Sequence, residues 1–429
     1  MAKRIVSCLL CVLILASVAA SLCACSVSVE PSGGKTKNLI EDAHITPGIK
    51  SADALNKAYT PVVAEFALKL FKQSLNDDGN TLISPLSVIC ALAMTMNGAR
   101  GETLAQAENV FGMDIDSLNE YLGAYISALP QGEKYKLSLA NSIWFTDKNQ
   151  FDVRTDFLQL NADIYGADIY KTVFDGKAVK TINNWVKGKT DGTIDRIIED
   201  VEDDNVMFLI NALAFDSEWQ VIYEDESSVR DNAFTNADGT VSTVKMMFSG
   251  EGTYLDDGSA TGFIKHYADA KYAFAALLPN EGVSVFDYIA SMSGEKLCET
   301  LSNARASAVN VGLPKFESSF SAEMSEALKA LGMSDAFDCG AADFSGIASL
   351  DSYHTLYISK VLHKTFISVG ERGTRAGATT AVVMNYCTSE GPVEELKTVV
   401  LDRPFVYMII DCETMLPIFI GVQTTMPNA

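Results

Sequence analysis

Few residues in this chain of 429 have the types and spacings that catalysis needs. Its four histidines, His44, His266, His354 and His363, fall in no HExxH or paired metal-ligand pattern, and no serine lies in GxSxG. Lys187-Gly188-Lys189-Thr190 ends like a phosphate loop, but Asn183 stands where that loop needs its first glycine. The stretch with distinctive chemistry is Val369–Thr388, and its chemistry is that of a backbone seeking partners. Apart from Arg375, residues 374–383 are small or β-branched, as a strand requires. At period two, Thr374, Ala376, Ala378, Thr380 and Val382 make one small, mostly apolar face, while Arg375 shares the other with Gly377 and Thr379. Such a segment can slide between two strands without a clash. It runs on into residues 385–397, a polar stretch that reads as exposed loop. Chemistry fit for a sheet interior, continuous with a loop, implies two states.

The elements around it must receive it. Thr365–Val369 and Phe405–Asp411 read as flanking strands, and Val206–Trp219 is almost wholly apolar, as a central strand covered on both faces would be. Leu137–Phe145, Val244–Phe248, Tyr272–Leu278 and Ala308–Val311 add further strands. Helical spacing marks Tyr59–Leu75, Val179–Thr190 and Glu323–Leu331. Another helix begins at Ser84, which can cap it, with Pro85 at the first position where a missing N–H costs nothing.

Glu371-x-Gly373-Thr374-x-Ala376-x-Ala378-Thr379 resembles the hinge of the serpin family. Ser84-Pro85-x-Ser87, Asn183-Asn184-Trp185, Asn211-x-x-x-Phe215-x-x-x-Trp219, Val311-Gly312-Leu313-Pro314, Arg403-Pro404-Phe405 and Phe419-x-Gly421 are similar to other signatures of that family, in order, over roughly residues 56–426. Two stretches depart from it: Asp216-Ser217 replaces the usual Lys-Gly, and Arg375 stands where an acid is usual. The resemblance implies an α+β serpin fold. It would have three β-sheets, of which sheet A is the large central one, eight or nine α-helices, and an exposed reactive-centre loop at about 373–400. It also implies an inhibitor rather than an enzyme, with no cofactor and no metal. A serine protease would cut the loop, and the hinge (Glu371, Gly373, Thr374, Ala376, Ala378) would enter sheet A while the protease is still acylated. Ser84, Ser87, Asn211 and His363 match the polar shutter beneath that sheet, and Trp219 and Lys315, with Glu371, the breach at its top. Counting from Gly373 as the family does puts the reactive bond between Cys387 and Thr388; displaced bonds at Met384 or Tyr386 stay open, because the segment to Pro404 is long. Apart from Arg375, no Lys or Arg occurs from Thr374 to Leu396, so elastase-like or chymotrypsin-like targets fit better than trypsin-like ones. A non-inhibitory carrier or chaperone-like serpin, a cysteine protease inhibitor, and a redox-sensing thiol at Cys387 are the other readings.

The N-terminus carries Lys3-Arg4, then an apolar run from Ile5 to Ala20 too short to span a bilayer. Leu22-Cys23-Ala24-Cys25 resembles a bacterial lipobox, which implies a signal peptide over residues 1–24, a lipid anchor on Cys25 and a place outside the cytoplasm, on the bacterial cell surface or released from it. Residues 25–55 then read as a flexible tether and 56–429 as the serpin domain. The formal charge of −22 becomes −24 without Lys3 and Arg4, which disfavours nucleic acid and heparin-type polyanions as partners. Beyond Cys25 only Cys90, Cys298, Cys339, Cys387 and Cys412 remain; an odd count without CxxC is neither a disulfide framework nor a metal site. A monomer whose main partner is the target protease is expected.

Overall fold

The computed structural model describes residues 36–48, 55–76, 79–129, 135–148, 151–202, 204–268, 270–348, 355–374 and 396–429. Two mixed sheets organise them. The first runs in the order β1 (Lys37–Asn38), β4 (Asp168–Thr172), β3 (Tyr135–Thr146), β5 (Met207–Glu218), β13 (Gly373–Thr374), β12 (Lys360–Gly370) and β11 (Phe316–Glu323). The second runs β14 (Lys397–Val400), β10 (Arg305–Pro314), β7 (Val241–Asp256), β8 (Ala260–His266), β9 (Tyr272–Pro279), β15 (Phe405–Asp411), β16 (Pro417–Gln423) and β2 (Thr81–Ile83), with β6 (Val229–Thr235) paired to β7.

The first sheet is the large central sheet expected from the sequence. Its strand β5 is apolar almost throughout because both faces are covered. Phe208, Ile210 and Ala212 pack in one cluster with Trp144, Ile182 and Trp185, beneath the helix Gly176–Lys189, while Met207, Leu209, Leu213 and Phe215 join the main core. On the main-core side lies the helix Pro85–Met96, every residue of which is buried. Ser84 caps it, its hydroxyl accepting the Ser87 N–H, and Pro85 opens it.

Three readings are refined. The expected second and third sheets form one hydrogen-bonded sheet, because β7 is long enough to pair with β6 over Val241–Met247, β10 over Met246–Tyr254 and β8 over Tyr254–Asp256. Ten α-helices occur among the described residues, against eight or nine expected, and the extra ones are short. The tether read over residues 25–55 includes a docked piece. Lys37 and Asn38 add an edge strand to β4, Leu39–Asp42 is helical, and the Gly48 N–H donates to Asp163 Oδ1 at 2.6 Å. An unpaired sheet edge takes up any chain that can satisfy its N–H and C=O groups.

Gly421, singled out above within Phe419-x-Gly421, is fixed by packing. A Cβ there would lie 2.5 Å from Tyr407 Cζ and 2.9 Å from the Thr81 carbonyl, where β16 runs between β15 and β2. Gly421→Val is therefore expected to destabilise the fold by about 1–3 kcal/mol or more, read as a fall in the denaturant midpoint at unchanged slope.

Candidate functional site

The site lies along the seam between β5 and β12. These strands are parallel and directly paired over seven residues each, from Phe208↔Lys360 to Ala214↔Phe366. Above Ala214 they part and β13 enters. β12 ends at Gly370, the chain turns at Glu371-Arg372, and Gly373-Thr374 returns antiparallel to both neighbours, Thr374 facing Val369 on one side and Ser217 on the other. Gly373 is required at this closest approach: its φ is +156°, and a Cβ would lie 2.1 Å from the Ser217 carbonyl oxygen. Thr374 is fully buried, and its hydroxyl forms a hydrogen bond with Tyr267 Oη at 2.6 Å.

The turn is held from beneath at three successive carbonyls. Trp219 donates its indole N–H to Gly370 O at 2.8 Å and its backbone N–H to Arg372 O at 2.8 Å, and the Tyr223 N–H reaches Glu371 O at 3.0 Å. The Trp219 ring stacks on Tyr267, centroids 4.5 Å apart. Lys315 Nζ donates to Glu371 Oε1 at 2.7 Å, joining two of the three residues placed at the breach from the sequence. Partial burial, the largest single influence, raises the Glu371 carboxyl, but the Lys315 hydrogen bond, a backbone hydrogen bond and the Lys315 charge together outweigh it and hold the group below its usual range. With both side chains more than a third exposed, this pair contributes about 1 kcal/mol or less.

Lower down, Ser84, Ser87, Asn211 and His363 do meet, and all four are completely buried. His363 and Asn211 are direct partners across β12 and β5, the fourth of the seven pairs from either end. The Ser84 N–H donates to His363 Nε2 at 3.1 Å, so the ring proton lies on Nδ1, which donates to Asn211 Oδ1 at 2.6 Å. Ser87 Oγ also donates to Asn211 Oδ1, and Asn211 Nδ2 donates to Asn141 Oδ1 at 3.0 Å. The network therefore ties the capped end of the helix Pro85–Met96 to three adjacent strands. Thr365 adds a hydroxyl bond to Leu82 O at 2.7 Å.

Asn141, Thr365, Tyr223 and Tyr267 belong to this site although sequence reasoning gave them no role in it. Asn141 had a detectable signal, a polar residue in an alternating apolar strand, but its partner emerges only from the β3–β5 register, where it faces Asn211. Ala376, Ala378, Met384, Tyr386, Cys387 and Thr388 lie outside the described residues, as do Cys25 and residues 1–24.

Burial pushes the His363 imidazole down to about 3, and a second proton would set an N–H against the Ser84 N–H. The unfolded chain, with a histidine pKa of about 6.5, binds that proton where the folded chain does not. Stability is thus full above about pH 6.5 and falls as pH drops towards 3, by up to about 1.4 kcal/mol per pH unit. Denaturant midpoints taken between about pH 7 and about pH 4.5 should drop more steeply for the parent chain than for His363→Gln, which lacks the titrating ring.

A family model described as serpin (serine protease inhibitor) matches residues 61–425. The chain is 31% identical over 377 residues to leukocyte elastase inhibitor A of Mus musculus, covering 83% of this chain and 96% of that protein. Among solved structures, it is similar to the thermophilic serpin tengpin in its native state, with a TM-score of 0.85 and 46% identity over 91% of this chain and all of that one. The same protein in its latent state gives a TM-score of 0.76 at 43% identity, over 87% of this chain and 99% of that one.

Proposed function

The chain belongs to the serpin family, and from that premise we propose that it is an irreversible, suicide-substrate inhibitor of serine proteases of elastase-like or chymotrypsin-like preference. The observation that carries this reading is the half-begun strand: Gly373-Thr374 already sits between β5 and β12, while the seven pairs below remain closed.

Each further residue of the hinge that enters moves one position back along both neighbours. Six residues beyond Thr374, Thr380 falls opposite both Asn211 and His363. Its face carries Thr374, Ala376 and Ala378, which meet the buried side without bulk or charge. Arg375, one step in, falls opposite Asp216 in the same register. Side chains directly opposite share a face, so the two departures from the family pattern bring opposite charges together.

In the chemistry proposed, the protease serine oxygen attacks the Cys387 carbonyl. The bond to the Thr388 nitrogen breaks, the amine leaves with a proton, and an ester joins the two proteins. Water then competes with strand insertion. If insertion wins, the ester persists; if water wins, the loop is merely nicked. We further place the protein outside the cytoplasm, with residues 1–24 as a lipoprotein leader and Cys25 acylated. Loss of the Cys25 anchor in Cys25→Ala, read as release from the membrane fraction, tests that placement.

Mixing the protein with an elastase should give a band larger than either partner that survives denaturing electrophoresis, and the nicked chain should resist heating far better than the intact one. A nicked product with no large band would overturn inhibition and favour a non-inhibitory serpin. Gly373→Val, which cannot approach Ser217, should shift the outcome from complex to nicked product by at least about tenfold.

A further inference from the structure

Directly under the turn lies a buried cation that the insertion seam does not itself use. Lys265, on β8, is 2% exposed, and its ammonium donates to Glu251 Oε1 at 2.7 Å. The same nitrogen sits 4.7 Å from the Tyr223 ring centroid and 5.5 Å from that of Trp219. Glu251 in turn accepts from Ser249 Oγ at 2.7 Å, and that hydroxyl lies 3.1 Å from Tyr223 Oη. One ammonium therefore touches both aromatic residues whose N–H groups hold the carbonyls of Gly370, Glu371 and Arg372.

An ion pair taken out of water is rarely a gain over apolar side chains of the same volume. A cation between two rings does something an apolar residue cannot: it attracts both ring faces at once and fixes their separation. Trp219 and Tyr223 both follow the end of β5 at Glu218, beyond the last pair of the seam, Ala214↔Phe366. We propose that the Lys265–Glu251 pair is a positioning device for strand insertion. It pins Trp219 and Tyr223 together, and so sets how readily the turn Gly370–Arg372 lets go of the top of the sheet. The pair touches no reacting atom. Its effect on inhibition runs through the two aromatics, and the functional half of the proposal rests on the reading above.

The test uses the full chain and peptide-resolved hydrogen exchange. In Lys265→Met/Glu251→Leu, which removes both charges at once and leaves neither charge unpaired, the amides of Trp219 and Tyr223 should exchange about tenfold faster or more, while those of Asn211 and His363 keep their rates. Lys265→Arg, which keeps the charge and can face both rings, should stay near the parent rate. Incubated warm, the double variant should also lose complex-forming capacity several-fold faster than the parent as its hinge enters the sheet uncut. Parent-like exchange at Trp219 and Tyr223 in the double variant would overturn the proposal, as would equal acceleration at Asn211 and His363, which marks general loosening. Should Lys265→Met/Glu251→Leu fail to fold, Lys265→Gln read in the same way decides between the outcomes. If the parent chain forms no protease complex, the inhibitory reading fails, yet the exchange comparison still decides whether the pair pins the turn.

Discussion

Everything at the seam follows from one constraint of strand polarity. β5 and β12 are parallel, and the hinge leaves β12 through a tight turn at Glu371-Arg372. A strand that turns back on β12 is antiparallel to it, and so necessarily antiparallel to β5. Whatever enters is therefore offered two complete ladders in one register, already set by Thr374 against Val369 and Ser217. The parallel ladder it displaces is single, and parallel pairing is slightly weaker per residue. On the proposed mechanism, a segment kept outside a stronger pairing site than the one it would displace makes the fold metastable, and the strand it would pair with, β5, already has side chains packed in both core clusters.

What keeps the seam closed is unevenly distributed. At the top, the Lys315–Glu371 pair is solvent-screened and weak, and the stronger hold is the set of N–H groups from Trp219 and Tyr223 on the turn. In the middle, the His363–Asn211 contact is fully buried, and its members have no water to turn to when parted; each lost partner costs about 1–3 kcal/mol. A neutral imidazole suits this place. It can accept from Ser84 and donate to Asn211 at once, which a protonated ring cannot.

Much of this was legible in the amino-acid order because it is local. Ser84-Pro85 announces a helix start by capping chemistry, and β5 announces itself by an unbroken apolar run. The small-residue face after Gly373 announces a strand with no fixed place. What was not legible depends on register or distance. Asn141 joins the lock only because β3 pairs with β5 where it does. The second and third sheets fuse because β7 continues through Gly250-Glu251-Gly252, a stretch whose glycines and charge suggest a break. Residues 36–48, polar and proline-bearing, look like linker until an available edge strand is known. Lys265 looks like a surface residue, and only its fold neighbours Glu251, Trp219 and Tyr223 make it a buried one.

The order of opening then follows from position. On the proposed mechanism the hinge would enter from the top, so the pairs would part in sequence from Ala214↔Phe366 downwards, each step offset at once by two new partners for the incoming residue. Three pairs open before His363 and Asn211 are reached. Before that point the one buried polar contact of the site to give way would be the Thr365 hydroxyl bond to Leu82 O; at the fourth pair insertion would have to break a buried polar network tied to a helix and to three strands. The incoming residue in that register is Thr380, whose hydroxyl can both donate and accept and so can take over partners that Asn211 and His363 lose. On the proposed mechanism, a barrier in the middle of the path and a polar residue timed to arrive at it would give a strand that rests at its start and, once past the midpoint, runs to completion.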